Sequence, residues 1–420
     1  MWLSKVLRKL VLVVICSSNM FVFAQISLQH MINNCNALGK KVIDLEKEKV
    51  YFLDRTLIIP SGVEINGNGA TLTESRRWSS LNDRFSPLIL LANVSDVKIS
   101  NLNINHSVNG NNIYNQASNS ILMIGVQNSI IEHVTFTNLG SDIYSDKVKG
   151  SPYILMLAQD QEDDFSYLPK SVSDVLASSF GNTIKNCKFI NHNYTVSFAI
   201  RLLTLWKKNR NHSNVKHKVF RNTIDACEFY GEFDWNTVEL AGPGTEFNTV
   251  SNNILRGNSV NNIDVDKGAS YNLIEGNDVR KSGLPTRHFY NRNVRHATIC
   301  VHGSNTNLLS IGNIVRNNLV KDVLIDNPFQ SNYLYSSGIA VLYTDNTTIE
   351  NNSIENMFIP DKYGVAILMD QHNTNVKVIS NKINNVYRGV FESMNSRKNQ
   401  NVKIRDNQIN VFKDAVFLKK

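Results

Sequence analysis

One six-residue pattern recurs along most of the chain. It consists of an apolar residue, two variable residues, a small polar residue or cysteine, one variable residue and a second apolar residue, as in Ile274, Asn277 and Val279. The middle position of seven later copies is occupied by Cys187, Cys227, Asn253, Asn277, Asn352, Asn381 and Asn407, and that of two earlier copies by Leu102 and Val134. Several intervals are 24 or 26 residues, for example 253 to 277 and 381 to 407. Such a repeat predicts a stack of similar structural units.

These intervals match one rung of a parallel β-helix, in which successive coils lie ~4.8 Å apart. We expect the recurrent asparagine at a sharp inward turn, because asparagine tolerates a positive φ and its amide can bond the backbone. Stacked asparagine side chains can also bond one another along the repeat. A second column of short strands alternates inward β-branched and outward residues, at 238–240, 263–265, 299–301, 339–341 and 365–367. The predicted fold is all-β, a single-stranded right-handed parallel β-helix. The competing β-sandwich would not need asparagine at a constant offset.

The N-terminus predicts export. Lys5, Arg8 and Lys9 precede an apolar run that is too short to span a bilayer. We therefore predict a signal peptide at 1–24 and a secreted or periplasmic protein; lipidation at Cys16 is the alternative. Residues 25–420 form one β-helix domain, with an N-terminal helical cap at 25–40 and loop excursions at 137–183 and 190–221. No segment is predicted to cross a membrane.

The charge balance is basic. The net charge of +8 falls by three with the predicted signal peptide, which contains three cationic residues and no acidic ones. A basic exported protein favours an anionic partner such as a uronic-acid glycan, although ordinary solubility charge is an equal explanation. The basic residues are scattered, so nucleic acid is not an expected partner. Cys187 and Cys227 are expected to point inward as small buried residues that form no disulfide.

Charged residues concentrate on one predicted strand face. Alternation places Arg201, Glu239, Asp264, Asp266 and His302 outward on the middle rungs, with neighbours about 5 Å apart. The corresponding sites on later rungs are predicted to be Ala340, Leu342, Ala366 and Leu368. Like charges at this spacing repel. A cation, shared protons or basic neighbours must compensate the three carboxylates, and this column is the predicted functional site.

The rung pattern resembles the pectate-lyase-like superfamily over almost the whole mature chain. The similarity to calcium-dependent pectate lyases implies that Glu239, Asp264 and Asp266 hold a Ca²⁺ ion, which would acidify a uronate ring proton. Removal of that proton by Lys267, Arg201 or His302 would lead to elimination across the glycosidic bond. Ca²⁺ is the only cofactor this resemblance implies.

A second resemblance is to polygalacturonases, through the segments 262–266 and 302–304. It implies that Glu239, Asp264 and Asp266 act as acid and base in hydrolysis, at separations compatible with either retaining or inverting chemistry. The aspartates are separated by Val265, and the family's arginine–lysine element is missing from the next rung. The basic balance and Lys267 favour elimination slightly over hydrolysis.

Residues flanking the charged column are candidates for substrate binding. Trp235 and Tyr290 can stack on sugar rings, and Arg287, Arg292 and His296 can contact a carboxylate or sulfate. The predicted function is therefore cleavage of glycosidic bonds in a polysaccharide, by a monomer or a homotrimer. A non-catalytic glycan-binding or adhesin-like β-helix is the third alternative.

Overall fold

The computed structural model describes residues 28–35, 37, 39, 41–82, 85–106, 116–139, 152–159, 168–192, 196–205, 215–284, 296–324, 336–358, 364–393 and 399–418. The predicted signal peptide lies outside them. The predicted cap contains a helix at 28–35 (α1) whose Leu28 and Ile32 are buried in the core, whereas Met31 is exposed. A second short helix, Trp78–Leu81 (α2), and a 3-10 turn, Lys170–Val172, are the other helical elements of the described part. No described helix is long and apolar enough to cross a membrane.

Two long parallel sheets form the solenoid. Sheet B has twelve strands: Leu57–Ile58 (β3), Ile89–Ala92 (β6), Ile121–Ile124 (β8), Pro152–Gln159 (β10), Phe198–Leu205 (β14), Asn236–Ala241 (β18), Asn261–Asp266 (β22), Ala297–His302 (β25), Ser336–Leu342 (β29), Gly364–Asp370 (β33), Arg388–Glu392 (β36) and Val416–Phe417 (β39).

Sheet A has 22 strands, which run as two columns on either side of a tight turn. The strands before the turn are Val42–Asp44 (β1), Glu64–Asn66 (β4), Thr183–Lys185 (β12), Thr223–Asp225 (β16), Thr249–Ser251 (β20), Leu273–Glu275 (β23), Ile314–Arg316 (β27), Thr348–Glu350 (β31), Lys377–Ile379 (β34) and Lys403–Arg405 (β37). Those after it are Val50–Leu53 (β2), Thr71–Glu74 (β5), Lys188–Asn191 (β13), Glu228–Gly231 (β17), Ile254–Arg256 (β21), Asp278–Arg280 (β24), Leu319–Leu324 (β28), Ser353–Phe358 (β32), Lys382–Val386 (β35) and Gln408–Val411 (β38).

Lys98–Asn105 (β7) and Ile130–Thr137 (β9) run through both columns of sheet A. Two small sheets complete the set: Ser179–Phe180 (β11), Val219–Phe220 (β15) and Thr245–Glu246 (β19), and Ser310–Ile311 (β26) with Thr344–Asp345 (β30). Every named strand pairing is parallel. This arrangement confirms the predicted parallel β-helix.

The predicted asparagine ladder is present at the turn of sheet A. Asn277 Nδ2 donates to Asn318 Oδ1 at 2.9 Å, and Asn318 Nδ2 donates to Asn352 Oδ1 at 3.0 Å. The backbone conformation differs from the expectation, because the positive φ belongs to the preceding residue, as in Asn317 (φ 56°) and Asn351 (φ 54°). The ladder residue itself is therefore free to point inward and bond the next rung.

A second asparagine ladder runs parallel to the first and was not predicted. It comprises Asn182, Asn222, Asn248, Asn272 and Asn313, each bonded side chain to side chain with the next. Asn248, Asn272 and Asn313 each lie five residues before an asparagine of the first ladder, and Asn182 and Asn222 lie five residues before Cys187 and Cys227. Buried amides of this kind are stable only when every donor and acceptor is satisfied, which fixes the register of the rungs.

The core is apolar and continuous, with the rings of Phe136, Phe189 and Phe229 stacked 4.7 and 4.9 Å apart inside it. Cys187 and Cys227 are buried in the same core without a disulfide, as predicted.

The two predicted loop excursions are shorter than the sequence suggested. Segment 137–183 contains the eight-residue strand β10, which pairs with β8 and β14 as an ordinary rung of sheet B. Segment 190–221 likewise contains β14 and β15. All eight residues of β10 are buried, and an outer apolar cluster that includes Leu168 and Val172 covers one face. A continuous apolar strand gives no alternation, so the sequence pattern did not reveal it.

Candidate active site

The outward face of sheet B changes character along the solenoid. Strand register aligns Leu155, Arg201, Glu239, Asp264 and Cys300 in one outward column. A second column, two residues further along each strand, contains Leu157, Leu203, Ala241, Asp266, His302, Leu342 and Asp370. Charge is therefore confined mainly to four adjacent rungs in the middle of the solenoid, β14, β18, β22 and β25, and apolar clusters flank it on both sides.

One detail of this face differs from the prediction. Ala366 lies in the core, and its rung presents Leu368 and Asp370 outward instead. Asp370 is buried, so a carboxylate also occurs beyond the four charged rungs.

The three carboxylates converge. Glu239, Asp264 and Asp266 each place one oxygen so that the three atoms lie within 4.8 Å of one another. Their side chains are only 4%, 4% and 9% exposed, respectively. At a site so shielded from solvent, uncompensated negative charges would repel one another strongly.

Three basic side chains compensate these carboxylates. Arg201 Nε donates to Glu239 Oε2, and Lys267 Nζ lies 2.6 Å from Asp266 Oδ2. On the next rung, His302 Nε2 lies 3.2 Å from Asp266 Oδ1. Each of the three basic side chains therefore contacts a carboxylate, in agreement with the prediction that basic neighbours compensate the charged column.

The charges set the protonation of this cluster. Burial opposes an imidazolium at His302, but the carboxylates of Asp266 and Asp264 outweigh burial and raise its pKa to about 9. Burial also favours a neutral Asp266, yet the charges of His302 and Lys267 prevail and lower the pKa of that carboxyl. The pKa of Lys267 is raised, because Asp266 and Glu239 outweigh the effect of its burial. At neutral pH, Asp266 is ionised while His302 and Lys267 carry protons.

Asn236 is a member of the site that the sequence did not reveal. Its Nδ2 donates to Asp264 Oδ2 at 2.8 Å and approaches Glu239 Oε1 at 3.4 Å. It lies three residues before Glu239, so strict alternation would have placed it on the opposite face. Asn236 therefore links two carboxylates on adjacent rungs and fixes their relative position.

A bound Ca²⁺ ion fits this cluster poorly. The donors are oxygens, as Ca²⁺ prefers, but Ca²⁺ takes about six to eight ligands and favours excess negative charge. Here three carboxylates already face Arg201, Lys267 and a protonated His302. We therefore derive no reaction step through calcium.

The other predicted binding residues fall into two groups. Arg287, Tyr290 and Arg292 lie outside the described residues. Trp235 is half-buried at the corner just before β18, next to Asn236. His296 is buried, its Nδ1 donates to the Ser259 carbonyl at 3.1 Å, and burial lowers its pKa to about 4. A neutral, inward imidazole cannot contact a substrate, so the prediction for His296 is corrected to a structural role.

Comparisons with known proteins support the fold. The sequence matches no protein-family model and no curated protein. Among solved structures, it is similar to the tailspike protein of E. coli bacteriophage HK620 in complex with pentasaccharide (TM-score 0.54, 11% identity) and to a mutant of that tailspike in complex with hexasaccharide (TM-score 0.55, 11% identity). These alignments cover 92% of this chain but only 63% and 62% of the tailspike chains, respectively, so this chain spans less than two thirds of their length. The chain is a right-handed parallel β-helix, as the sequence predicted.

Proposed function

We propose that this protein is an exported enzyme that hydrolyses glycosidic bonds in an anionic polysaccharide. One observation carries the proposal: three buried carboxylates and the His302 imidazole converge on the outward face of adjacent rungs. The carboxylates raise the pKa of this imidazole to about 9. Acid–base and nucleophilic groups with opposed protonation states are what glycoside hydrolysis requires. The tailspike complexes with oligosaccharides add that this fold can present a surface to a glycan.

In the proposed first step, an Asp266 oxygen attacks the anomeric carbon while the glycosidic C–O bond breaks. His302 donates its proton to the departing oxygen. Because Asp266 then carries no charge, the main electrostatic cause of the raised His302 pKa disappears. The neutral imidazole can accept a proton from water, whose oxygen attacks the anomeric carbon and releases Asp266.

The two reacting groups lie on adjacent rungs, with His302 Nε2 3.2 Å from Asp266 Oδ1. The nucleophile and the proton donor can therefore face the same glycosidic bond. Asp264 and Asn236 act as positioning residues, since they contact His302 and the neighbouring carboxylates rather than lie at the rim.

The rim of the site supports an anionic substrate. Lys267 and His302 are the most exposed members of the cluster, with side chains 39% and 28% exposed, whereas the carboxylates lie deeper. A uronate or sulfate approaching this face would therefore meet cationic groups first.

Elimination remains the second candidate, favoured by the same cationic rim. It needs a base for the ring proton, and Lys267 and His302 both hold protons at neutral pH. Arg201 is engaged by Glu239. Hydrolysis uses these protonation states directly and is therefore the favoured reaction.

The test is incubation of the purified mature chain with a panel of uronic-acid and sulfated polysaccharides, with and without a calcium chelator. We expect new reducing ends without the ultraviolet absorbance of an unsaturated product, and no effect of chelation. Asp266→Asn should remove this activity, whereas Glu275→Gln, on the outward side of sheet A, should retain it. Absorbance growth that chelation abolishes would instead establish a calcium-dependent lyase. Binding without cleavage by the unmodified protein would establish a glycan-binding β-helix.

A further inference from the structure

Cys300 extends the charged column by one rung. Strand register places it directly beside Asp264, and it packs outward with Ala297 and Ala340 rather than into the core. The Cys300 side chain is 6% exposed and forms no disulfide. It therefore lies where the charged rungs meet the apolar patch that follows them.

Three different donor atoms meet at this boundary. A carboxylate oxygen of Asp264, the Cys300 sulfur and an imidazole nitrogen of His302 all lie within 4.8 Å of one another. His302 Nε2 and Asp264 Oδ1 are separated by 3.3 Å. Two ligands of a tetrahedral zinc ion with bonds of about 2.0 to 2.3 Å lie roughly 3.3 to 3.7 Å apart, so this pair is already at ligand spacing.

A second observation concerns the carboxylate of Asp264. Asp264 is 3% exposed, and its Oδ2 accepts a hydrogen bond from Asn236. Its Oδ1 faces His302 Nε2 in an ion pair that does not reach hydrogen-bond geometry. A buried carboxylate oxygen with so weak a contact gains from a closer cationic partner.

We propose that Asp264, Cys300 and His302 bind a thiophilic divalent metal ion such as Zn²⁺, with a fourth position open to water or substrate. The donor set explains the selectivity, because thiolate and imidazole favour Zn²⁺ over hard cations such as Ca²⁺.

The metal would act as an inhibitor. This consequence rests on the proposed hydrolysis: an ion that holds His302 and Asp264 removes the proton donor and its positioning carboxylate from the reaction. Metal binding itself does not depend on that function, so the two can be tested separately.

The binding test is titration of the reduced protein with Co²⁺, which takes zinc sites and reports a thiolate ligand through a sulfur-to-cobalt charge-transfer band. We expect the band in the unmodified protein and its loss in Cys300→Ala. Cys35→Ala, which alters a cysteine in the N-terminal cap, should retain it. Calorimetric titration with Zn²⁺ should show at least about tenfold weaker binding to Cys300→Ala, because even outer-shell changes at zinc sites cost that much affinity.

The possible results distinguish failure of the metal site from failure of the proposed hydrolysis. A folded, unmodified protein that binds Co²⁺ without the charge-transfer band, or does not bind it at all, overturns the site. Equal Zn²⁺ affinity of Cys300→Ala and the unmodified protein overturns it as well. If metal binds as proposed but no glycan is cleaved, the proposed hydrolysis fails while the metal site stands. If glycan is cleaved, Zn²⁺ should inhibit the unmodified enzyme and not Cys300→Ala.

Discussion

The protonation of His302 makes the stability of the fold depend on pH. Its pKa is about 9 in the folded chain, against 6.5 for an unperturbed histidine. The difference corresponds to about 3 kcal/mol of preferential interaction between the imidazolium and the folded cluster. Since the folded pKa is the higher one, this stabilisation is complete below about pH 6.5 and is lost as the pH rises through about 9.

Replacement of His302 by glutamine should therefore destabilise the protein in a pH-dependent way. We expect the unmodified protein to exceed His302→Gln in free energy of unfolding by about 3 kcal/mol near pH 6 and by little near pH 10. Guanidinium denaturation, approached from both the folded and the unfolded side, measures the difference and reveals slow unfolding. His192→Gln, at an exposed position, is the matched control and should show no such trend. A constant difference between the two proteins across this range would refute the argument that Asp266 and Asp264 hold the imidazole in its charged form.

Three further predictions concern the ladder and the site. Asn318→Ala should lower the free energy of unfolding by about 3 kcal/mol or more, because it leaves buried polar groups on both neighbouring rungs without a hydrogen-bond partner. Asn407→Ala, at the half-buried end of the ladder, should lower it by only about 1 kcal/mol. Denaturation midpoints of the two variants measure the difference. Asp266→Asn should lower kcat by at least about a thousandfold with an unchanged circular dichroism spectrum, as expected for loss of a nucleophile; residual activity near that of the unmodified enzyme would exclude that role. Lys267→Asn introduces a residue that tolerates the positive φ of 54° at this position. This substitution should raise KM for anionic glycans several-fold and make that KM less dependent on salt concentration. An equal rise in KM for a neutral glycan would contradict a role of Lys267 in recognising charge.

The rung architecture was predictable because its signal is local and repeated. The apolar–x–x–Asn pattern and the alternating strands both reflect side chains that must point inward. The copy of the pattern at Val315, Asn318 and Val320 is less regular, because Asn277 and Asn318 are separated by 41 residues, whereas several other intervals are 24 or 26. The positive φ was assigned to the wrong residue, since pattern alone cannot distinguish a turn residue from its inward neighbour.

The site was predictable in its charged members and less so in their partners. Alternation identified Glu239, Asp264 and Asp266, because an outward carboxylate between apolar neighbours stands out. Asn236 was missed because strict alternation assigns it to the face opposite Glu239, although its side chain contacts Asp264. Cys300 was missed because a cysteine in a strand is usually a small buried apolar residue. These contacts depend on how the strands of neighbouring rungs align, and that register cannot be read from the number of residues between them.

The asparagine turn of sheet A has the same length on rung after rung. β20 ends at Ser251 and β21 begins at Ile254, and the same two-residue interval separates β34 from β35 and β37 from β38. By contrast, the connections on either side of the sheet B strands vary widely in length, from the three residues between Ala241 and Thr245 to the long stretch between Arg280 and Ala297. This turn of constant length therefore fixes the register of successive coils. The corners that border the charged face can lengthen or shorten, so insertions and deletions there can re-shape the rim of that face without disturbing the scaffold.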